Sequence, residues 1–360
     1  MNQSNHKTKV AIVATSMREI GGQSIQAKRL LDAFADDENI ELFFIPNNPE
    51  TAFQNVKFLR TIFTSLKFWS LLFTQIRRAD IVHIFSSAGS GYIIATLPPL
   101  LFAKVYGKFV ILNYHSGELE EHIKRRKITA LPTMKMFDEI IVPSQFLVDV
   151  FAKFDLQATA IFNFAGSKQF AFKERKPLRP VFLSNRNFET HYNVSDILKA
   201  FQIIQKSLPE SRLIIAGFGT EEAKLKQLTK DLNLANVEFI GKIANDKMPE
   251  IYNRADIYLN ASIVDNMPLS FIEAFACGLP IVSYATGGIP YIVETGKTGV
   301  LVEQKDYQAL ANEALKLLEN NDLTQQIISN AHAEIKKYSF DEVKEEWRNA
   351  YSPESDFFKV

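Results

Sequence analysis

The feature that most constrains the fold of this chain is an alternation of short apolar runs with amphipathic stretches. The first run, 9–15, is apolar and β-branched, as is typical of a strand buried on both faces of a parallel sheet. Two glycines, Gly21 and Gly22, separate it from a helical pattern at 24–34. Because such pairs recur, we predict an α/β fold with doubly wound sheets built from βαβ units. Further strands of the first half are predicted at 40–45, 81–85, 109–113 and 139–143.

The same alternation starts again after a basic, proline-containing stretch, 167–180, which we interpret as a linker. A chain of 360 residues, 46% of them hydrophobic, can fill two cores. We predict two Rossmann-like domains, 1–166 and 167–338, that face each other across a ligand-binding cleft. In the second domain, strands are predicted at 181–184, 212–216, 237–240, 257–260 and 280–284, and helices at 194–206, 220–231, 248–253, 268–276 and 307–337.

Charge and cysteine content exclude several classes of protein. The 41 basic residues equal the 41 acidic residues, whereas a general nucleic-acid binder needs a basic surplus to neutralise phosphates. Cys277 is the only cysteine, which excludes an intramolecular disulfide framework and a zinc site with several cysteines. The first nine residues are polar, and no apolar run reaches the roughly 18 residues of a membrane-spanning helix. We therefore expect a cytoplasmic protein, which is either free or peripheral on the inner face of the membrane.

Two acidic residues stand eight positions apart in the most informative segment. Asp265 falls in a loop after a predicted strand, and Glu273 lies inside the following helix. Pro268 suits the first helical position, and the free amides and positive dipole end of a helix start form an anion site. The acids can then accept hydrogen bonds from a sugar and from ribose, with phosphates between them, which indicates a nucleotide-sugar site. Spacing alone leaves open that the acids merely complement the helix dipole.

The wider segment resembles the signature of retaining glycosyltransferases with two Rossmann-like domains, the GT-B fold, specifically the large family 4. That signature is an acid, seven residues, a glutamate, then Ala-x-Ala-Cys-Gly-x-Pro and a Gly-Gly-Ile-Pro turn. Here the last parts read Glu-Ala-Phe-Ala-Cys-Gly-Leu-Pro at 273–280 and Gly-Gly-Ile-Pro at 287–290. The resemblance extends from about Val181 to Ala350, which is nearly the whole second half of the chain.

The resemblance implies a role for each matching residue of the second domain. Asp265 would hold a hydroxyl of the donor sugar, and Glu273 would hold the ribose hydroxyls. Arg186, at the end of the first strand of this domain, would clamp the diphosphate, and Ile243 would lie near the base. The residues that would wrap the sugar and the diphosphate with backbone amides are Asn266, Met267, Pro268 and Leu269.

The chain departs from the family pattern at two positions. The family usually has glutamate where Asp265 stands, so this shorter side chain must lie about one methylene closer to the sugar. The family also supplies a lysine five or six residues after the arginine, but His191 or Tyr192 occupies that position here. Three alternatives follow: His191 acts as a weaker, pH-dependent donor, Arg186 and the helix dipole bind the phosphates unaided, or activity has been lost.

The first domain matches the family at two further places. In the family a Gly-Gly turn faces the donor diphosphate, and Gly21 and Gly22 correspond to it, since glycine lets the backbone approach a ligand closely. The family also has a histidine beside the donor sugar at the end of a strand, and His115 corresponds to it. His83 is interpreted as a histidine of the core or of the cleft wall.

We therefore expect a retaining, metal-independent glycosyltransferase that uses a nucleotide-sugar donor as co-substrate and needs no cofactor. Its expected catalytic residues are His115, Asp265 and Arg186. In the family's mechanism the acceptor hydroxyl attacks from the face that the diphosphate leaves, so positioning and charge stabilisation replace a protein nucleophile. The acceptor is a polysaccharide, a lipid-linked sugar or a small molecule. The alternatives are a non-catalytic nucleotide-sugar-binding protein and a GT-B nucleotide-sugar epimerase.

A basic amphipathic helix is predicted at 56–79, where five basic residues occur without an acid. The apolar residues that recur there at helical spacing are Leu59, Ile62, Leu66, Trp69, Phe73 and Ile76. We expect this stripe to bury against the sheet, with Phe68 and Leu71 outside it. The helix either packs a broad face on the core or lies in an anionic membrane interface. A second basic run, 124–127, is either a solvated helix face or a site for lipid phosphate or an anionic acceptor.

The last helix is predicted to return to the first domain. Ser339 is a suitable N-cap, and Glu342 would complete a capping box. Val343 and Trp347, four residues apart, would share one face. Since such a helix packs on the first domain in GT-B enzymes, we expect 339–360 to cross back and bury Trp347 against the amino-terminal half.

Overall fold

The structure of the protein is a computed structural model, which describes residues 7–17, 22–52, 56–89, 91–164 and 169–352. The chain divides into two compact units. Unit 1 comprises Met1–Phe164 and Phe340–Val360, and unit 2 comprises Ala165–Ser339.

Unit 1 contains a parallel six-stranded sheet in the order β2-β1-β3-β4-β5-β6. Alternate residues of β1 enter two different cores, with Ile12 on one face and Val13 on the other, because helices cover both faces. The elements in chain order are β1 (Thr8–Ala14), α1 (Gly22–Ala33), β2 (Ile40–Pro46), α2 (Lys57–Gln75), β3 (Ile81–Ser86), α3 (Tyr92–Val105), β4 (Phe109–Tyr114), α4 (Leu119–Arg125), α5 (Ala130–Met134), β5 (Glu139–Val142), α6 (Gln145–Ala152) and β6 (Thr159–Ala160).

Unit 2 contains a second parallel six-stranded sheet, in the order β12-β11-β10-β7-β8-β9. The predicted α/β fold with two doubly wound sheets is therefore confirmed. The elements in chain order are β7 (Val181–Ser184), α7 (Val194–Ser207), β8 (Arg212–Ala216), α8 (Glu222–Asp231), β9 (Val237–Gly241), α9 (Met248–Arg254), β10 (Ile257–Asn260), α10 (Leu269–Cys277), β11 (Ile281–Tyr284), β12 (Val300–Val302), α11 (Tyr307–Glu319) and α12 (Asn321–Glu334).

The strand order of unit 2 reverses between β7 and β10. β8 and β9 follow β7 on one side of the sheet, and β10 then pairs with β7 on its other side. The loops that follow β7 and β10 therefore diverge and leave a crevice at the carboxyl ends of these two strands. Crevices of this kind are where open α/β sheets bind ligands.

The helix predicted at 307–337 is wrong, because it is two helices in the structure. Asn320 leaves the helical region with φ −106° and ψ 80°. Its side-chain oxygen accepts a hydrogen bond of 3.2 Å from the amide of Leu323, so it caps the start of α12. An asparagine satisfies backbone groups at a helix start better than inside a helix, and the break occurs at this residue.

The interpretation of 167–180 as a linker is wrong for its second part. Arg175 is buried, and its Nε donates a hydrogen bond of 2.9 Å to the carbonyl oxygen of Ala255. The carboxylate of Asp256 binds both Arg175 and Arg179, at 3.5 and 2.9 Å. Basic residues that suggested a solvated linker instead tie this segment to unit 2.

The predicted orientation of α2 is also wrong. Leu66 and Trp69, expected to bury against the sheet, are 58% and 53% exposed, whereas Phe68 and Leu72 are buried. Of the predicted stripe, only Ile76 is buried. The helix carries two adjacent apolar stripes, one with Phe68 and Leu72 and one with Trp69 and Phe73, and periodicity does not show which of them faces the sheet.

The final helix, α13 (Phe340–Ala350), packs within unit 1. The Trp347 ring stacks on His83 with 4.7 Å between ring centroids, and Trp347 is only 4% exposed. Tyr351 lies one turn further on, with its hydroxyl 2.6 Å from Nδ1 of His83. Arg348 adds an ion pair of 2.8 Å with Asp37. His83 is thus a core histidine, and burial lowers its pKa well below the ordinary value.

Candidate active site

An arginine and an aspartate meet at the crevice of unit 2. Arg186 follows β7 and Asp265 follows β10, and their side chains form an ion pair through Nη2 and Oδ2. Both side chains are nearly buried, at 12% and 10% exposure. Burial raises the pKa of Asp265 above its ordinary value, although the Arg186 charge acts in the opposite direction. The diphosphate clamp and the sugar-binding acid implied by the resemblance are therefore neighbours.

The Arg186 guanidinium has further partners on two sides. Nη1 lies 3.3 Å from Oγ of Ser270 at the start of α10, and the guanidinium carbon lies 4.3 Å from the centroid of the Tyr192 ring. Among the described residues, its buried Nε has no hydrogen-bond partner. A nearly buried arginine with an unused donor can bind an anion.

Glu273 occupies the neighbouring position on α10 and is held by a hydrogen-bond chain. Tyr252 Oη donates to Glu273 Oε2 at 2.8 Å and accepts from Asn185 Nδ2 at 2.7 Å. Asn185 in turn accepts a hydrogen bond from the Tyr258 hydroxyl through Oδ1. Burial raises the pKa of Tyr258 to about 12, so its phenol stays protonated as a donor. These bonds fix the carboxylate of Glu273.

A glycine pair holds the loop that carries the acid. The turn at 287–288 packs on the backbone of Asp265 and Asn266, and Gly288 N donates to Asp265 O at 3.2 Å. A Cβ on Gly287 would overlap the carbonyl oxygen of Asp265, and one on Gly288 would overlap that of Asn266. The Gly-Gly-Ile-Pro turn is therefore required for the position of Asp265.

The segment between the two acids lies at the start of α10. Asn266 and Met267 are buried, and Asn266 N donates to Oδ1 of Asp265 at 2.9 Å. Pro268 is the extended residue that precedes the helix rather than its first residue, which is Leu269. Phe271 N already bonds to Pro268 O at 3.0 Å, so the helical hydrogen bonds begin at the proline. The prediction for Pro268 is thus corrected by one position.

The position of the expected lysine carries a short turn. His191 is exposed, and its carbonyl oxygen accepts a hydrogen bond of 2.9 Å from Ile263 N in the loop after β10. Tyr192 covers the Arg186 guanidinium, as described above. The turn is attached to the loop that carries Asp265, and its sequence supplies no lysine at this position. Ile243, two residues after β9, is half-buried, and its proximity to the base stays a prediction.

In unit 1, His115 follows β4 and is half-buried. Its amide donates to Ser86 O at 2.9 Å, and its ring stacks on Phe85 with 5.4 Å between centroids. Burial lowers the pKa of His115 to about 4, so the ring is neutral near pH 7. Within the described part of the chain, its Nε2 has no hydrogen-bond partner.

The glycine pair of unit 1 is described only in part, because Gly21 lies outside the described residues. Gly22 begins α1, and a Cβ added there would meet no atom of the described chain within 4 Å. Internal packing therefore does not require glycine at this position. Next to it, Gln23 Nε2 donates to Ser86 O at 2.9 Å, so the start of α1 is joined to the end of β3.

Sequence reasoning missed the residues whose hydrogen bonds position Glu273, which are Asn185, Tyr252 and Tyr258. Asn185 was predictable as a site residue, because it is a polar residue at the carboxyl end of a predicted strand, where open α/β sheets bind ligands. The tyrosines were not predictable as site residues, because their largely apolar rings fit the pattern of buried helices and strands.

The described residues contain no group of three or more His, Cys, Asp or Glu side chains placed to hold a metal ion. No helix in the described part of the chain is long and apolar enough to cross a membrane.

Comparisons with known proteins agree with this geometry. Residues 167–334 match the sequence model of the family described as glycosyl transferases group 1. A curated relative, N-acetyl-alpha-D-glucosaminyl L-malate synthase of Bacillus anthracis, is 33% identical over 138 residues, which are 38% of this chain and 35% of that protein. The chain covers between 35% and 56% of the length of three such curated relatives.

Solved structures resemble the whole chain. Sucrose-phosphate synthase of Thermosynechococcus elongatus has a TM-score of 0.78 at 17% identity, over 96% of this chain and 98% of that one. HepE of Anabaena, in complex with UDP, has a TM-score of 0.75 at 16% identity, over 95% and 99% of the two chains. These likenesses confirm the predicted GT-B fold. Residues 167–334 of the chain are thus similar to the glycosyl transferases group 1 family.

Proposed function

We propose that this protein is a retaining, metal-independent glycosyltransferase of family 4 that takes its sugar from a nucleotide-sugar donor. The observation that carries the proposal is the pairing of Arg186 with Asp265 at the crevice of unit 2, with Glu273 fixed on the neighbouring helix. A cation and an acid at the carboxyl ends of parallel strands, with a second acid on the following helix, can bind a diphosphate flanked by two polyols. The family match over the same segment supports this assignment.

In this proposal Glu273 accepts hydrogen bonds from the ribose, and Asp265 accepts one from the donor sugar. Arg186 binds the diphosphate through the donor that no described residue uses, assisted by the start of α10. A bound diphosphate competes with Asp265 for the guanidinium, which lets the aspartate turn towards the sugar. Gly22 allows close approach of the ligand in unit 1, and His115 contacts the sugar as a neutral ring.

The transfer itself requires charge stabilisation and positioning. The bond between the anomeric carbon and the diphosphate oxygen breaks, and the acceptor oxygen forms the new bond on the same face of the sugar. The acceptor proton passes to the departing diphosphate, so atoms and charge balance without a protein nucleophile. Arg186 and the α10 start supply the positive charge that the leaving group needs, which supports metal independence.

We also propose that the protein acts in the cytoplasm, at the inner, anionic face of a membrane. Two basic regions support this, 56–79 and 124–127. In the second run Lys124 is paired with Glu120 at 2.6 Å, and Ile128 beside the run is 91% exposed. A carbohydrate or lipid-linked acceptor would then be met at the membrane surface.

The experiment that tests this function is a thermal-shift panel of UDP, GDP, ADP and their sugars, since a bound ligand raises the unfolding temperature. We expect one nucleotide to stabilise the protein and Glu273→Ala to remove the stabilisation. Glu250→Ala is the matched control, because the Glu250 side chain is 69% exposed in the same unit. Unchanged nucleotide binding by Glu273→Ala would overturn the ribose assignment.

The two alternatives give different results in the same assays. Isomerisation of the nucleotide sugar without acceptor indicates the epimerase. Tight nucleotide binding without turnover over a broad acceptor panel indicates the non-catalytic binding protein, which the missing lysine beside Arg186 favours. Turnover that requires an acceptor, with retained anomeric configuration and in the presence of a chelator, supports the proposal.

A further inference from the structure

The exposed side of α2 forms a continuous apolar surface with α3. Leu59, Leu66 and Trp69 are 38%, 58% and 53% exposed on α2. Ile94 and Val105 on α3 are 70% and 79% exposed. The two helices pack together, and the Tyr106 hydroxyl just after α3 bonds to Phe73 O at 3.4 Å. We call this surface the α2–α3 face; its members are Leu59, Ile62, Phe63, Leu66, Trp69, Phe73, Ile94, Leu101 and Val105.

The charge around the α2–α3 face is strongly one-sided. Residues 51–117 contain seven basic residues and a single acid, Asp80, although the whole chain has equal numbers of both. Asp80 accepts a hydrogen bond of 2.8 Å from the amide of Lys9. Arg60, Lys67 and Arg77 are exposed on α2 or directly after it. Exposed apolar side chains flanked by cations complement an anionic membrane surface.

A groove of about 520 Å³ opens beside this face. One wall comes from Ser16 after β1 and Asn48 after β2, at the carboxyl ends of these strands, where Ser16 N donates to Asn48 Oδ1 at 2.7 Å. The opposite wall is the hydroxyl-bearing side of α2, represented by Thr64. The rim is formed by Trp69 and Ile94, which also belong to the α2–α3 face. The groove therefore has mixed walls, in which hydroxyl and amide groups and the charged Glu50 and Arg60 stand beside apolar side chains, and its rim is shared with the α2–α3 face.

A molecule that fits both parts has a hydroxylated head and an apolar tail. The volume suits a lipid headgroup or one sugar ring, and the walls offer amide and hydroxyl groups for hydrogen bonds. The tail would leave over Trp69 and Ile94 into the surface on which α2 and α3 rest. A water-soluble sugar would use the polar walls but would leave the apolar rim exposed.

We propose that the groove holds the hydroxylated headgroup of a membrane lipid, which is the sugar acceptor, while the α2–α3 face lies in the anionic membrane. This rests on the proposed function, and it names the acceptor class. The lipid hydroxyl oxygen forms the bond to the anomeric carbon, and its proton leaves with the nucleoside diphosphate. The acceptor therefore stays in the bilayer during transfer.

The first arm of the test is flotation of the full chain with vesicles of equal parts phosphatidylglycerol and phosphatidylcholine. We expect binding at low salt, a blue shift of the exposed Trp69 and weaker binding to pure phosphatidylcholine. Leu59→Ser with Leu66→Ser should lower vesicle affinity by more than about tenfold, since both side chains lose apolar burial in the bilayer. Leu323→Ser, 39% exposed in unit 2, is the matched control and should bind as the parent does.

The second arm locates the groove. Thr64→Cys carries a fluorophore on the groove wall, since the native Cys277 is buried and reacts poorly. On vesicles we expect iodide quenching of this label to fall severalfold and headgroup-labelled lipid to quench it. A label at Glu319→Cys, which lines a separate groove of unit 2, should stay accessible to iodide. Unchanged iodide quenching at position 64, or no flotation with anionic vesicles, would overturn the proposal.

The third arm follows the labelled sugar from the nucleotide sugar that binds in the thermal-shift panel. Vesicles with added diacylglycerol and free glycerol are offered together. Label in the organic phase supports a lipid acceptor, and label only on glycerol overturns it. If no nucleotide stabilises the protein but vesicle binding persists, the proposed function is wrong, whereas membrane binding by the α2–α3 face is still supported.

Discussion

The two tryptophans of the chain give a matched pair for testing what α13 contributes to unit 1. Trp347 is 4% exposed and stacks on His83, with the Tyr351 ring 5.5 Å away, whereas Trp69 is 53% exposed. Truncation of a buried tryptophan to alanine costs about 3–5 kcal/mol. About 200 Å² of buried ring area at about 25 cal/mol per Å² gives a similar value of about 5 kcal/mol. We expect Trp347→Ala to destabilise unit 1 by about 4 kcal/mol, which lowers its unfolding temperature by about 8–16 °C.

Tryptophan fluorescence measures this directly, because both tryptophans belong to unit 1 and each variant keeps one as the reporter. Trp69→Ala should cost less than about 1 kcal/mol, since its ring loses little burial. Equal shifts in the two variants, or a shift below about 2 °C for Trp347→Ala, would refute the inference that α13 completes the core of unit 1.

Three further predictions concern the site. Gly288→Ala places a Cβ on the carbonyl oxygen of Asn266, so we expect a lower unfolding temperature of unit 2 and weaker nucleotide binding; an unaltered thermal-shift profile would argue against this. Asp265→Asn leaves the nearly buried Arg186 without its ion-pair partner, so we expect the free energy of unfolding in urea to fall by about 3 kcal/mol. A decrease of less than about 1 kcal/mol would contradict this. Burial lowers the pKa of His115 to about 4, so as the pH drops below about 6.5 the unfolded chain takes up this proton before the folded protein does. The free energy of unfolding should therefore fall between about pH 6.5 and pH 4, and His115→Gln should make this fall smaller. The same dependence of stability on pH in the variant and the parent would contradict the prediction.

The sequence predicted five of the six strands of each sheet because their signal is local, and it missed the short β6 and β12. A strand buried on both faces needs a continuous apolar run, and each predicted run of unit 2 lies within about one residue of its observed strand. The orientation of α2 could not be predicted in the same way. Its two apolar stripes have equal periodicity, and only contact with the sheet distinguishes Phe68 from Trp69.

The charged residues of the site could be predicted from the sequence, but the residues that hold them in position could not. Asp265 and Glu273 were recognised by their spacing and their motif, and the structure places Asp265 in the loop after β10 and Glu273 on the following helix, α10. The hydrogen bond from Tyr252 to Glu273 joins residues that are 21 positions apart on different helices. A periodic pattern within one helix cannot predict such a contact. The overlap that makes Gly288 necessary likewise depends on a backbone contact with a distant loop.

The place of α13 in unit 1 also sets the order in which the protein can complete its folding during synthesis. Unit 2 can fold as soon as residue 339 has emerged, whereas unit 1 waits for a helix that begins at Phe340. At about 5–20 residues per second, the stretch of unit 2 delays this by roughly 9–35 s. During that interval Phe34, Phe85 and the ring of His83 lack the cover that Trp347 and Tyr351 later supply. The nascent unit 1 therefore presents an apolar surface that a ribosome-associated chaperone can bind until α13 has emerged.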